Sequence, residues 1–168
     1  MQSVLVTPGV AAETKPLNTV DHVDLERYAG RWHEVARIPN RFQKKCLRGT
    51  TADYSLRDDG RINVVNSCVK KDGKINEADG VARIVDKESN AKLQVSFVSV
   101  FGWYLFWGDY WIIGLDDDYQ WVVVGHPERK FGWILSRTPT LSAAALDEAF
   151  AILARAGYSR ADFEMSAP

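Results

Sequence analysis

Eight short runs in which apolar side chains recur at every second residue constrain the fold of this chain most. Successive side chains of a β-strand point to opposite faces, so each run predicts a strand with one buried face. Turn signals separate the runs, and the clearest, Asp58-Asp59-Gly60, is typical of a tight hairpin. Such a series predicts an all-β fold, an eight-stranded antiparallel up-and-down barrel. The predicted strands span about 30–38, 50–56, 61–70, 76–86, 92–97, 109–115, 119–125 and 131–137.

The two ends of the chain differ from this middle part. Residues 1–22 are polar and predict a flexible N-terminal arm, and residues 23–168 form the single predicted domain. After Pro139 the apolar period becomes helical, with Ser142 as the N-cap and Gly157 at the C-terminal end. We expect this helix to pack on the outside of the barrel. Its apolar stripe consists of Leu146, Ala149, Phe150 and Leu153.

The charge balance argues against nucleic acid as a partner. The 168 residues carry a formal net charge of −1, so no strong field attracts a polyanion or an anionic membrane.

Two cysteines, Cys46 and Cys68, permit one disulfide. An unbroken hairpin register places them too far apart for a bond, whereas a folded-back loop at Cys46 would close the gap. The sequence leaves this bond open.

No side chains in the sequence have the spacing of a catalytic or metal site. The histidines His22, His33 and His126 are scattered, and no nucleophile elbow, phosphate-binding glycine loop or metal-binding histidine pair accompanies them. The run 116–118, three aspartates before a tyrosine, favours a solvated turn over a metal cluster. We therefore expect no enzyme activity, no metal and no cofactor.

The first and last predicted strands carry the elements of a barrel base. Gly30-Arg31-Trp32 opens the first strand, and Arg137 closes the last one. A closed barrel brings its first and last strands together. The Arg137 guanidinium should then cover the Trp32 ring as a cation–π pair.

These residues resemble the motifs of the lipocalin family. Its first motif, Gly-x-Trp, stands here at Gly30 and Trp32, its second ends in Asp118-Tyr119, and its third contains Arg137. The resemblance extends from about residue 23 to residue 158. It implies a barrel that binds a small hydrophobic ligand in its interior.

Three further segments are similar to a narrower group, the bacterial outer-membrane lipocalins, which are close to apolipoprotein D. They lie at 37–42, 54–60 and 133–139, while His33 stands where relatives usually carry tyrosine. This resemblance implies a periplasmic or outer-membrane location and a role in envelope lipid handling. The first twenty residues carry no signal-peptide pattern and no lipobox cysteine, so the location depends on the resemblance.

Strand parity, counted from Trp32 and Arg137, gives the side chains expected to line the ligand cavity. The set is mostly apolar, and its alanines leave room behind them, which favours a cavity over a filled core. Tyr54, Tyr110 and Asn66 are candidate anchors for a polar head group. Such a lining suits one acyl chain with a carboxylate or phosphate end. The expected ligand-binding residues are Ala36, Ala52, Tyr54, Ile62, Val64, Asn66, Ala82, Val95, Phe97, Tyr110, Ile112, Val124, Trp133 and Leu135.

The connection between the fifth and sixth predicted strands, residues 99–108, is unusually aromatic. Strand counting places it at the open mouth, so we expect an entrance loop. Three interpretations stay open: a lid over the ligand, a homodimer contact, or a patch that enters a membrane interface, where Trp and Tyr are favoured. Its aromatic residues are Phe101, Trp103, Tyr104, Phe106 and Trp107.

The function predicted from these features is that of a lipid-binding lipocalin that carries or stores a fatty acid or a lysophospholipid. One alternative is a binder of a tetrapyrrole or another small hydrophobic ligand, with His126 near the mouth as an axial ligand. Another is a lipocalin-fold enzyme, which needs an inward acid and base. Only Glu34, expected near the closed end, and the two tyrosines Tyr54 and Tyr110 qualify.

Overall fold

A computed structural model of the chain describes residues 15–168. A short helical turn precedes the first strand, a second helix follows the last barrel strand, and the rest is mostly antiparallel sheet. No helix in the described part of the chain has the length and apolar character needed to cross a bilayer. The elements are α1 (Leu25–Tyr28), β1 (Gly30–Arg37), a 3-10 turn (Arg41–Gln43), β2 (Cys46–Leu56), β3 (Ile62–Lys70), β4 (Ile75–Ile84), β5 (Lys92–Ser96), β6 (Val98–Val100), β7 (Trp103–Leu105), β8 (Gly108–Leu115), β9 (Trp121–Gly125), β10 (Gly132–Ser136), α2 (Ala143–Arg155), a second 3-10 turn (Arg160–Asp162) and β11 (Glu164–Met165).

Eight of the strands form one closed barrel. Each of β1, β2, β3, β4, β5, β8, β9 and β10 is antiparallel to the next, and β10 pairs back onto β1 through His33 with Ser136 and Glu34 with Leu135. This closure confirms the predicted eight-stranded up-and-down barrel. β6 and β7 form a separate hairpin between β5 and β8, where the sequence pattern predicts a loop.

The C-terminal strand β11 fills a gap in the barrel wall. The pairing of β1 with β2 ends at His33 with Thr51. Beyond that point β1 pairs with β11 instead, through Ala36 with Met165. On the other side the Gly49 amide donates to the Ala167 carbonyl at 2.9 Å. The chain end therefore bridges the edges of β1 and β2 where they have separated.

Two apolar cores lie on the two sides of the barrel wall. One fills the barrel interior and contains Trp32 and Ile112, and the other lies outside and contains Phe150 and Leu153 of α2. The residues 122–124 of β9 are fully buried in succession, because alternate side chains enter the two cores. The predicted outer position of the helix is confirmed, and the Ser142 hydroxyl caps it by accepting from the Ala145 amide.

Residues 15–22, the last eight of the predicted flexible arm, contact the barrel. Leu17 is buried in the outer core, and the Val20 amide donates to the Ile112 carbonyl at 3.0 Å. The segment from residue 15 to residue 22 is therefore held by apolar and backbone contacts that its polar composition does not reveal. Residues 1–14 of the predicted arm lie outside the described residues.

Cys46 and Cys68 form a disulfide with a Cα–Cα distance of 5.5 Å. The separation expected from an unbroken register is wrong, because β2 changes register against β3 twice between Cys46 and Thr51. These irregularities draw the start of β2 back along β3. Sequence spacing alone does not reveal where a strand bulges.

Candidate ligand-binding site

The base of the barrel is closed by Trp32 beneath Arg137. The guanidinium carbon of Arg137 lies 3.8 Å from the centroid of the fully buried indole. Its nitrogens donate to the carbonyl oxygens of Arg27 at 2.6 Å and Arg31 at 3.0 Å. Gly30 has a φ of +100°, and a Cβ there would lie 3.3 Å from an Arg137 nitrogen. The arrangement is the one that the pairing of the first and last strands predicts.

The structure places every predicted lining residue except Ala36 on the inner face of the barrel. Ala36 packs in the outer core, because β1 shifts register between Glu34 and Ala36 and this bulge reverses its side-chain parity. For Ala36 the predicted inward orientation is therefore wrong. The other inner-face residues are Ala52, Tyr54, Ile62, Val64, Asn66, Ala82, Val95, Phe97, Tyr110, Ile112, Val124, Trp133 and Leu135.

This inner face has a sealed part and an accessible part. Ile112 and Val124 are fully buried, whereas Phe97 is 41% exposed. Asn66, Val95, Tyr110 and Trp133 are partly exposed as well. Inward side chains reach solvent through the open end, so these partly exposed residues mark a cup above a packed base. The cup is mainly apolar, with hydrogen-bonding groups from Asn66, Tyr110 and the Trp133 indole.

Three tyrosine hydroxyls meet beneath this cup. The Tyr110 hydroxyl lies 2.6 Å from that of Tyr28 and 3.0 Å from that of Tyr54. Burial raises the pKa of Tyr54 to about 12 and raises the pKa values of Tyr28 and Tyr110 well above the ordinary tyrosine value. All three phenols therefore stay protonated at neutral pH. Tyr28 was not predicted, because it lies in α1 before the first strand, outside the strand alternation from which the lining is counted.

Glu34 belongs to a buried polar cluster toward the mouth, so its expected place near the closed end is wrong. Its carboxylate accepts from Arg37 at 3.0 Å, from the Gln43 amide at 2.6 Å and from the Ser166 hydroxyl at 2.6 Å. Gln43 belongs to the β1–β2 connection and also accepts from the Trp133 indole at 3.2 Å. Because the Glu34 carboxylate is already occupied by three donors, its arrangement is that of a structural anchor. Ser166 escaped prediction, since only the tertiary fold brings the chain end to β1.

The aromatic connection, residues 99–108, is expected to form an entrance loop at the mouth. In the structure it lies against the outside of the barrel wall. Ala82 pairs with Val95 on the inner face, so the neighbouring Val81 and Ser96 face outward. Both are only 1% exposed, and the Ser96 hydroxyl donates to the Leu105 carbonyl. The β6–β7 hairpin therefore covers this outer surface of the wall. The Phe97 ring, which precedes the hairpin, lies against Gly80 on the inner face.

The hairpin and the outer wall border a half-open cationic cavity. The Trp107 ring lies 4.0 Å from the Arg83 guanidinium and 5.8 Å from that of Arg61. The cavity has a volume of about 350 Å³ and is lined by Arg61, Arg83, Gly102, Trp103, Tyr104 and Trp107. Three large side chains of the connection project into solvent, with Phe101 98%, Trp103 76% and Phe106 82% exposed.

His126, the candidate axial ligand, is engaged in the β9–β10 turn. Its Nδ1 accepts from the Glu128 amide at 3.2 Å, and its ring lies edge-on to Phe131. Burial lowers its pKa below the ordinary histidine value. Within residues 15–168 no three His, Cys, Asp or Glu side chains are grouped closely enough to hold a metal ion.

Comparisons with known proteins agree with this geometry. The model of the Lipocalin-like domain family matches residues 23–168. Outer membrane lipoprotein Blc of Escherichia coli (strain K12) is 40% identical over 148 residues, which cover 88% of this chain and 80% of that protein. Apolipoprotein D of Macaca fascicularis is 31% identical over 134 residues, which cover 76% of this chain and 67% of that protein.

A solved structure supports the same fold. Insecticyanin from the tobacco hornworm Manduca sexta superposes with a TM-score of 0.69 over 95% of this chain and 87% of that one, at 24% identity. This likeness concerns the fold alone. Together with the family match and the relatives above, it leads to one conclusion: the chain belongs to the lipocalin family, as a member of the bacterial Blc type.

Proposed function

We propose that this lipocalin binds one fatty acid or lysophospholipid in its cup and serves in lipid handling of the cell envelope. The observation that carries the proposal is the partly exposed apolar inner face of Val95, Phe97 and Trp133 above a sealed base. Each methylene that leaves water contributes about 0.8 kcal/mol, so about ten give a gross of about 8 kcal/mol. This gross value corresponds to roughly micromolar affinity before ordering costs, so contacts of the head group have to offset those costs. The similarity to outer membrane lipoprotein Blc supports the envelope setting.

Native mass spectrometry of the purified protein tests the proposal directly. A bound fatty acid or lysophospholipid should appear as an adduct of its own mass on a folded charge state. A protein stripped of lipid should regain one equivalent on titration, with a change in tryptophan fluorescence. A stripped protein that takes up neither lipid class would overturn the proposal.

Substitution of Trp133 tests the place of binding. Trp133→Ala should weaken palmitate binding by about tenfold, because the indole forms part of the accessible inner wall. Trp103→Ala is the matched control, because Trp103 is 76% exposed on the outer hairpin. Equal affinity of the two variants would place the lipid outside the cup.

We further propose that the β6–β7 hairpin contacts an anionic lipid surface. Phe101, Trp103 and Phe106 project into solvent next to Arg61 and Arg83, and this combination of aromatic and cationic groups suits the headgroup boundary. Because the net charge of the whole chain is only −1, the contact depends on this local patch. A dimer through the hairpin is the competing interpretation.

Vesicle flotation separates these two interpretations. The protein should float with vesicles of phosphatidylcholine containing phosphatidylglycerol and less with phosphatidylcholine alone. Phe101→Ser should abolish flotation, whereas Phe42→Ser, at a residue exposed on the β1–β2 connection, should retain it. A concentration-dependent dimer that Phe101→Ser dissociates, without any flotation, would overturn the membrane proposal.

A further inference from the structure

The three tyrosine hydroxyls under the cup contain one hydrogen more than their own contacts use. Tyr28, Tyr54 and Tyr110 each carry one O–H hydrogen, and the two contacts among them engage two of the three. Within residues 15–168 these oxygens make no other hydrogen bond with the protein. Whichever way the hydroxyls turn, one donor stays without a protein acceptor.

The central position of Tyr110 in the network indicates which hydroxyl offers the spare hydrogen to the cup. Tyr28 is 3% exposed and Tyr54 9% exposed, whereas Tyr110 is only partly buried and stands at the centre of the network. If Tyr28 and Tyr54 both donate to Tyr110, the Tyr110 oxygen uses both of its acceptor positions. Its own hydrogen then has no acceptor among the tyrosines and is available to a ligand in the cup.

The mouth offers an anionic head group a less favourable place. Arg37 is already shared there between the carboxylates of Glu34 and Glu164, each at 3.0 Å. Arg41, Lys44 and Lys45 of the β1–β2 connection are exposed, so water and salt screen their charges. At the base, in contrast, the Arg137 guanidinium lies behind Tyr28 and places a positive charge below the network.

We propose that Tyr110 donates its hydroxyl hydrogen to the carboxyl oxygen of a fatty acid that enters the cup head first, with its hydrocarbon tail toward the mouth. This inference rests on the proposed function, because it requires an acyl ligand inside the barrel. Tyr28 and Tyr54 donate to the Tyr110 oxygen and leave its hydrogen available. A lysophospholipid, whose head group is far larger than a carboxyl, binds in the opposite direction and does not use this donor.

Paramagnetic relaxation tests the direction of binding without any substitution. Palmitate carrying ¹³C at its carboxyl carbon or at its terminal methyl is bound to the lipid-free protein, and a soluble gadolinium chelate is added. The methyl signal should broaden more than the carboxyl signal, because the tail lies at the mouth. Stronger broadening of the carboxyl signal overturns the inference while leaving the proposed function intact. Failure of palmitate to bind at all overturns the proposed function itself.

Conservative substitutions test the donor. Tyr110→Phe should weaken palmitate binding by about fivefold, the effect of one lost hydrogen bond, and should leave lysophosphatidylcholine binding unchanged. Tyr54→Phe removes one hydroxyl and one contact together, so a spare hydrogen remains and palmitate affinity should stay within about twofold. Tyr104→Phe, on the outer hairpin, is the matched control. Equal losses for both lipids in Tyr110→Phe would indicate a packing effect and overturn the inference.

Discussion

Arg137 joins the two chain segments that close the barrel base. Besides covering Trp32, it donates to backbone carbonyls of Arg27, Arg31 and Tyr119, so one side chain satisfies acceptors from separate elements. A charged donor in such a position is worth more than a surface ion pair, because its removal leaves several carbonyls without a partner.

Replacement of this side chain should therefore be costly. Arg137→Met should lower the free energy of unfolding by about 2–4 kcal/mol, from the lost charged hydrogen bonds and the lost cation–π contact. Urea denaturation measures the change. Arg31→Met is the control, because its ion pair with Asp53 is exposed and contributes at most about 1 kcal/mol. A similar loss in both variants would contradict the role assigned to Arg137.

His126 gives the fold a dependence on pH. Burial, followed by the nearby Lys130, lowers its pKa, while Asp109 and Glu128 act in the opposite direction. Protonation of Nδ1 would also break the hydrogen bond from the Glu128 amide. With the folded-state pKa depressed, the unfolded chain takes up the proton first as the pH falls below about 6.5. The stability is therefore full above that pH and declines below it.

Urea midpoints at about pH 7.5 and 5.5 check this sign. The wild-type midpoint should be lower at the acidic pH, and His126→Gln should reduce the difference. His33, whose pKa is also lowered, first by burial and then by Arg31, accounts for part of the remaining decline. An unchanged difference in His126→Gln would assign the pH dependence to other groups.

At the scale of elements, the packing of α2 on the barrel depends on one glycine. A Cβ on Gly114 of β8 would lie 2.7 Å from Cδ1 of Ile152, so the helix sits where only hydrogen leaves room. The periodic stripe of α2 predicts that it packs on the wall. It does not predict where along the wall the close approach occurs, because that depends on the shapes of both surfaces.

Gly114→Ala should cost about 1–2 kcal/mol of unfolding free energy through overpacking. Adding Ile152→Val in a double-mutant cycle should recover part of the loss, because it removes the methyl group nearest to the new Cβ. Gly108→Ala is the control, since its nearest neighbour is the Val95 carbonyl oxygen at 3.8 Å. Strict additivity of the two substitutions would show that Ile152 is not the contact responsible.

At the scale of the whole molecule, the barrel depends on its last residues. β11 bridges the separated edges of β1 and β2, and Ser166 completes the hydrogen bonding of the buried Glu34 carboxylate. A chain that ends at Phe163 should therefore open locally beside the mouth. The opening should be confined to this region, because the strand pairing from β2 to β10 does not involve β11.

Hydrogen exchange detects this opening. In the truncated chain the Gly49 amide, which donates to Ala167, should exchange faster by about tenfold or more. The amide of the fully buried Val123 in β9 should keep its protection and serves as the internal control. Equal protection of Gly49 in both chains would mean that β11 does not close the wall.

The sequence by itself determined the features that repeat or act locally: eight alternating runs, their turns, the helical stripe, and the Trp32–Arg137 pair at the base. Alternation predicts the inner face wherever a strand is regular, so Ala36, which follows a bulge, was assigned to the wrong side. A bulge adds one residue without a sequence period that marks it.

Only the tertiary structure decided the features that join distant segments. These are the disulfide, the closure by β11, the outward fold of the aromatic hairpin, and the meeting of Tyr28, Tyr54 and Tyr110. Each depends on the direction in which a strand or loop leaves the barrel. That direction is set by packing against the rest of the molecule, which no local pattern contains.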